Sequence, residues 1–429
     1  MTREVGRKEK RDELKRNAPQ YPRRREQKRK CMLIGLVGKP SSGKSTLLNA
    51  MCLSDAKVGA YPFTTIEPNK GVGYVVIDCV CKELEVQCQP RHGWCTNGKR
   101  FVPIKLLDVA GLVPGAHEGR GMGNKFLDDL RQADALIHVV DMSGSLDAEG
   151  NTIDKGSWDP EKDIIFLEEE LDYWVLGIIE RDWEKLARRV ESERLALAEV
   201  LTDKLSGLGI NIAELKAAIR YSELDATKPA KWSKEERLRF ASEIRKIAFP
   251  TVIAGNKIDR EGARENYESL KQKKKEIIPC SGLAEYYLRK LDERQIIRYV
   301  PGEADFEILQ GEKLTPKDKE TLNQIKEKIL KPYGGTGVQR VLQYAVFDLL
   351  NLVPVYPVED ATHFADKDGR VLPDVFLVPK GTTPRQLAGK VHTDLAKTFI
   401  HAILVPNGRR VGEDYEIQPK DIIRIVHAS

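Results

Sequence analysis

The stretch that decides the fold is Met32-Leu-Ile-Gly-Leu-Val37, then Gly38-Lys39-Pro40-Ser41-Ser42-Gly43-Lys44-Ser45, then Thr46 to Leu53. An apolar run of strand length enters a Gly-rich loop and leaves it as a helical pattern. That is the order a phosphate-binding loop requires. The loop fits G-x-x-x-x-G-K-[ST] in full. Gly38 and Gly43 let the backbone wrap closely and aim its N–H groups at phosphate oxygens, and the helix N-terminus adds its positive dipole. Lys44 is placed to neutralise β- and γ-phosphates, and the Ser45 hydroxyl to ligate Mg²⁺. Residues Gly38 to Thr46 are therefore nucleotide-binding candidates, with Lys44 also catalytic.

Outward from this loop, Phe101 to Leu107, Ala135 to Val140 and Pro250 to Gly255 are further apolar runs of strand length. Strands alternating with helical patterns predict an α/β fold with a mainly parallel sheet. Residues 160–247 break the pattern. The segment IIFLEEELDYWVLGIIERDWEKLARRVESERLALAEVL has no Pro, one Gly and helix-spaced apolar positions, which predicts a helical hairpin or coiled coil inserted into the α/β domain. Pro-rich Val353-Pro-Val-Tyr-Pro-Val reads as a boundary. Beyond it, short β-type runs (VFLVP, HAILVP, DIIRIVHA) surround one helix near Thr383 to Asp394, a compact α+β module. The expected organisation is a basic arm (1–30), the α/β domain in two parts (31–159 and 248–353), the insertion (160–247) and the module (354–429).

Asn256-Lys257-Ile258-Asp259 follows the strand TVIAG, where ligands collect in open α/β sheets. A carboxylate at Asp259 accepts from both the ring N–H and the exocyclic amine of guanine. Adenine presents no matching donors, and an unpaired buried polar group costs about 1–3 kcal/mol. Lys257 is suited to lie along the base and Asn256 to brace the loop. Asp108-Val109-Ala110-Gly111 ends another strand; an acid there holds Mg²⁺, and the Gly111 N–H approaches the γ-phosphate. Between these motifs and the first loop lies Tyr61-Pro-Phe-Thr-Thr65. Thr65 is favoured over Thr64 as the hydroxyl that senses the γ-phosphate and reaches the metal, so the metal candidates are Ser45, Thr65 and Asp108. Ser281 and Gly282 follow one more strand and are placed to close the base pocket. The catalytic candidates are Lys44, Thr65 and Gly111.

Composition narrows the class. The 429 residues are 41% hydrophobic and 31% charged, with a net charge of +5. They contain no apolar run long enough for a membrane span and no secretory h-region. Seven cysteines, an odd number, suggest reduced thiols and a cytoplasmic protein. The first thirty residues carry thirteen Lys and Arg against five acids, a solvated tail or an arm that meets RNA phosphates. Cys79, Cys81, Cys88 and Cys95, with His92 among them, raise a zinc site. The spacing C-x-C-x6-C-x6-C is not a standard ligand pattern, so free thiols are the expectation.

The segments GKPSSGKSTLLNA, YPFTTIEPNKG and LLDVAGLVPGAHEGRGMGNKFLDDLRQADALIHVVD resemble the Obg-type GTPases, and within them the YchF-like branch. The final module is similar to a TGS domain, which implies a ubiquitin-like β-grasp fold. The resemblance also implies GTP and GDP as ligands, Mg²⁺ as cofactor, and contact with the ribosome or its RNA; neither DNA nor a membrane is implied. Three departures stand out. Leu112 occupies the place of a water-orienting Gln, so unassisted hydrolysis should be slow. Ser41 stands where many relatives have a potassium-binding Asn. No histidine lies between Ser143 and Ser157, so no catalytic base is assigned. The rival expectation is a nucleotide-gated, ribosome-binding adaptor with negligible hydrolysis.

Overall fold

The computed structural model describes residues 32–52, 69–109, 126, 129–273 and 276–428. It divides into two compact units, Leu171–Ala248 on the one hand and Cys31–Glu170 with Phe249–Ser429 on the other.

The larger unit is built on strands β1 (Leu33–Val37), β2 (Lys70–Asp78), β3 (Trp94–Thr96), β4 (Lys99–Asp108), β5 (Ala135–Asp141), β6 (Thr251–Asn256) and β7 (Ile277–Pro279). Their order is β2-β4-β1-β5-β6-β7, with β3 paired to β4. From β4 to β7 every pairing is parallel, while β2 and β3 run antiparallel to β4. Every residue of β1 and β5 is buried, as expected of strands covered on both faces. Helix α1 (Lys44–Met51) packs Leu47 and Met51 onto Ile34, Leu36 and Leu106. Parallel strands end together, so the C-terminal ends of β1, β4, β5 and β6 gather the expected site residues on one edge.

The insertion departs from the expected hairpin or coiled coil. It is a run of short helices: α2 (Pro160–Glu180), α3 (Trp183–Glu193), α4 (Leu197–Leu205), α5 (Ile212–Ser222) and α6 (Lys234–Ala248). Asp182 and Arg194 break the long helical stretch, with φ of 58° and 53°. Neither is Gly or Pro, so no punctuation in the sequence marks them. The helices form their own core, in which Trp183, Trp232 and Phe240 meet with ring centroids 5.5 and 5.4 Å apart. The compact unit begins at Leu171 rather than at 160, because the first half of α2 serves the nucleotide loop, as shown below.

Helices α7 (Ala263–Gln272), α8 (Gly282–Glu293) and α9 (Pro316–Ile325) follow β6 and β7, together with a two-stranded ribbon, β8 (Ile297–Arg298) and β9 (Glu307–Ile308). Helix α10 (Val338–Gln343), continued as π-helix through Tyr344–Leu349, lays Val338, Val341 and Leu342 on the main sheet. The Pro-rich segment expected as a boundary is itself strand β10 (Leu352–Val358). It joins β11 (Phe376–Pro379), β12 (Phe399–Val405), β13 (Arg409–Val411) and β14 (Ile422–His427) in a second sheet of order β11-β10-β14-β12-β13. Pro354 and Pro357 are tolerated there because β11 pairs with residues 352–355 and β14 with 356–358. The Tyr356 N–H donates toward β14; Pro354 has the same parity and lies beyond that pairing, while Pro357 faces the other side, beyond the β11 pairing. Helices α11 (Pro384–Val391) and α12 (Thr393–Lys397) complete the α/β module, with Leu387 and Ala388 in its core. Among the described residues no helix is long and apolar enough to cross a membrane.

Candidate nucleotide-binding site

Two glycines allow the loop after β1 to close. Gly38 has φ +149° and Gly43 +98°; a Cβ on the first would lie 2.4 Å from the Val139 carbonyl, and on the second 2.4 Å from Asn256 Nδ2. The Leu47 N–H donates to the Gly43 carbonyl at 2.9 Å, so α1 begins immediately after the loop. Lys44 Nζ donates to the carbonyls of Gly38 and Lys39, both at 3.0 Å, which centres the ammonium within the loop. Burial pulls its pKa down, opposed by the nearby Asp108 carboxylate. Ser45 Oγ donates to Asp108 Oδ2 at 2.8 Å. A hydroxyl and a carboxylate from two elements thus meet at the mouth of the loop, and hard oxygen donors so paired suit Mg²⁺. Val109, one residue on, is buried and donates its N–H to Leu36.

Asn256 ties the base-side loop to the phosphate loop. Its Nδ2 donates to the Ser42 carbonyl at 3.0 Å, and its Oδ1 accepts from the Gly282 N–H at 3.1 Å. Three sequence-distant segments are held by one buried amide. Lys257 adopts φ +60°, the left-handed turn that ends β6, and its ammonium reaches Asp141 Oδ2 at 2.9 Å. Asp259 is half-buried two residues later. Ser281 caps α8 by accepting from the Ala284 N–H, so its hydroxyl supports the loop. Gly282 leaves room for α1: a Cβ there would meet Leu47 backbone atoms at 3.2–3.3 Å.

Several supporting contacts were not anticipated. Lys39 contributes only backbone to the loop's inner side, because its ammonium is buried against Asp163 (2.8 Å) and the Leu146 carbonyl (2.9 Å), beneath the Trp158 ring. Asp163 lies in the first half of α2, which explains why that half belongs to this unit. Asp141 accepts from the Ser143 N–H, the Ser143 and Ser145 hydroxyls and Lys257. Burial pushes its pKa up, but these donors hold it below the ordinary carboxylate value. An acid closing an apolar strand was visible in Ala135–Asp141, and its register opposite Asn256 would have made it a candidate. Behind Ser281, the Thr336 carbonyl accepts the Ser281 N–H, and the buried Glu285 accepts from Thr336 and Tyr299. His138, opposite Val37 in β1, is fully buried; desolvation, with Lys44 and Lys39 nearby, pulls its pKa down to about 3.

Thr65, Ala110, Gly111 and Leu112 lie outside the described residues, as does the 1–30 arm. The rest of the expected set, from Gly38 to Thr46 with Asp108, Val109, Asn256, Lys257, Asp259, Ser281 and Gly282, occupies one edge of the main sheet.

A mainly parallel sheet with a closed phosphate loop, a serine–carboxylate pair at its mouth and a base-side loop bolted to it defines a P-loop nucleotide-binding protein. Comparison with known proteins agrees. Residues 33–170 match the family described as 50S ribosome-binding GTPase, residues 254–360 the G4 motif-containing domain of YGR210-like Obg-like GTPases, and residues 362–427 the TGS domain. An uncharacterised GTP-binding protein of Methanocaldococcus jannaschii is 50% identical over 399 residues, covering 92% of this chain and 99% of its own. One from Schizosaccharomyces pombe is 40% identical over 399 residues, covering 90% and 95%. The crystal structure of a GTP-binding protein from Pyrococcus horikoshii OT3 superposes with a TM-score of 0.71 at 41% identity, over 92% of this chain and 100% of that one. The chain belongs to the Obg/YchF group of P-loop GTPases, with a TGS domain in its C-terminal part.

Proposed function

We propose that this protein binds GTP and hydrolyses it to GDP and phosphate as a Mg²⁺-dependent switch that acts on the ribosome in the cytoplasm. The observation that carries this reading is the Asn256 side chain, which joins the phosphate loop and the base-side loop into one site. In it Asp259 would accept from the two guanine donors, Lys257 would lie along the base and Ser281 and Gly282 would back the pocket. The backbone N–H groups of the Gly38–Thr46 loop, Pro40 having none, and the Lys44 ammonium would hold the phosphates and stabilise charge on the transferred group. Ser45 and Asp108 would hold Mg²⁺, with Thr65 as a third ligand, and the bound ion would supply positive charge against the phosphates. Thr65 and Gly111 would report the γ-phosphate to their segments.

The intact Asn256-Lys257-Ile258-Asp259 favours GTP, although the ribosome-binding protein YchF of Bacillus subtilis, 26% identical over 419 residues, is described as an ATPase. That relative, and the family description of residues 33–170, support the ribosome as partner. We further read the C-terminal sheet and helix as a β-grasp module, residues 354–429, that meets ribosomal RNA together with the 1–30 arm. Single-turnover hydrolysis of γ-labelled GTP, with and without ribosomes, tests the proposal. Slow turnover alone, raised by ribosomes, is expected. Tight GTP binding with no hydrolysis in either condition would instead establish the nucleotide-gated adaptor that Leu112 allows.

A further inference from the structure

The loop joining β2 to β3 brings four sulfurs together. Cys79 and Cys81 leave the end of β2, Cys88 lies in the loop and Cys95 is in β3. Their Sγ atoms all lie within 4.8 Å of one another, with Cys79–Cys88 at 4.0 Å and Cys81–Cys95 at 3.8 Å. These separations are about twice the ~2.05 Å of a disulfide. Four sulfurs ~2.3 Å from a common centre, arranged tetrahedrally, are about 3.8 Å apart. We infer that Cys79, Cys81, Cys88 and Cys95 form a structural zinc site that ties the C-terminal domain to the nucleotide-binding domain. The irregular C-x-C-x6-C-x6-C spacing, which argued for free thiols, is bridged by folding the loop back onto β3 and β4; His92 is not part of the cage.

Two neighbouring groups fit a charged cage better than four neutral thiols. Zn²⁺ with four thiolates carries a net charge of −2, and its formation releases four protons. Arg100, opposite Cys95 in the β3–β4 pairing, is 1% exposed, and its Nε has no hydrogen-bond partner among the described residues. A buried cation of this kind calls for a counter-charge. Tyr356, from β10, is wholly buried with its hydroxyl facing Cys79 and no other acceptor among the described residues, and a metal thiolate accepts such a donor. The cage also has a mechanical setting. Cys79, Val80 and Cys81 share a core with Tyr356, Val358, Leu372 and Ile422 of the C-terminal part. The Gln89 and Arg91 N–H groups donate to the carbonyls of Val371 (2.7 Å) and Pro373 (2.8 Å), Arg91 pairs with Asp366, and Arg100 donates to Leu372 and Pro373. The Asp108 N–H donates to the Asn69 carbonyl at the start of β2, and Cys79 follows the end of that strand, so β2 and the metal-pinned loop link the nucleotide site to the C-terminal domain.

Elemental analysis of the full-length protein, purified without chelator or affinity metal, tests the inference. One zinc per chain is expected, falling at least fivefold in Cys88→Ser and Cys95→Ser, with GTP affinity unchanged within about twofold. Should those variants fail to fold, mercurial titration of the folded wild type should release one zinc as four thiols react. It should also speed amide exchange at Gln89 and Arg91 at least tenfold. Replacing the metal with cobalt should give the visible bands of tetrahedral sulfur ligation. Zinc below a tenth of an equivalent with four freely reactive thiols, or stoichiometric iron in its place, would overturn the zinc assignment. Zinc release without faster exchange at those amides would overturn its tying role.

Discussion

Lys44 illustrates how chemistry at one position sets an expectation. Its ammonium sits among the carbonyls of its own loop, 3.0 Å from two of them, ready to meet phosphate charge. Lys44→Ala should lower single-turnover GTP hydrolysis by at least about 10²-fold, the scale of losing one charge-stabilising donor, while circular dichroism stays native. Full turnover in that variant would remove Lys44 from the site. His138 supports a different kind of expectation. With its pKa pulled down to about 3 from an ordinary 6.5, the native state holds it neutral while the unfolded chain protonates it below pH 6.5. Stability therefore falls as pH drops from 6.5 toward 3, by about 2 kcal/mol at pH 5. Urea unfolding at pH 7 and pH 5 should show this loss in the wild type and a correspondingly smaller one in His138→Gln; identical pH profiles would contradict it. The loop, Asp108 and Asn256–Asp259 were legible as candidates because phosphate, metal and guanine chemistry would demand those residue types in order, and the fold brings them to one edge of the main sheet. The pairings of Lys257 with Asp141 and of Lys39 with Asp163 were not, because their partners lie 116 and 124 residues apart, which no local pattern announces.

At the scale of elements, the site depends on how closely the phosphate loop and the β6 loop approach. Gly43→Ala would place a Cβ 2.4 Å from Asn256 Nδ2 at a φ of +98°. Strain of about 1–3 kcal/mol is expected there, together with loss of the Asn256 bridge. GTP affinity by calorimetry should fall more than tenfold; an unchanged affinity would show that the bridge does not organise the site. Strands β1, β4, β5 and β6 of the main sheet were readable as continuous apolar runs, whereas the antiparallel β2 and β3, which carry more polar and glycine positions, were not. The insertion was not readable in the same way: its helical periodicity continues through Asp182 and Arg194, and only tertiary packing around Trp183 and Trp232 shows where the chain turns. Strand β10 was missed for the opposite reason. Two prolines argue against a paired strand, and only the staggered pairing of β11 and β14 makes room for them.

For the whole molecule, the proposed function joins a guanine-nucleotide switch to ribosome binding. The thirteen basic residues of the 1–30 arm are suited to phosphate pairing, which makes affinity fall with salt by a log–log slope of about −0.7 to −0.9 per phosphate neutralised. Deleting residues 1–30 should weaken ribosome co-sedimentation and flatten its salt dependence, leaving GTP affinity unchanged. An unaltered slope would make the arm a solvated tail.

Guanine specificity at the intact base-side loop is open to direct test by nucleotide titration. Affinities for GTP, GDP, ATP and XTP would be measured on the wild type and on Asp259→Asn. The wild type should prefer GTP over ATP by more than tenfold, since each unpaired buried donor or acceptor costs about 1–3 kcal/mol. Asp259→Asn should lose GTP and gain XTP, whose 2-position carries an oxygen. Equal wild-type affinity for ATP and GTP, or an Asp259→Asn protein with unchanged GTP affinity, would contradict that specificity.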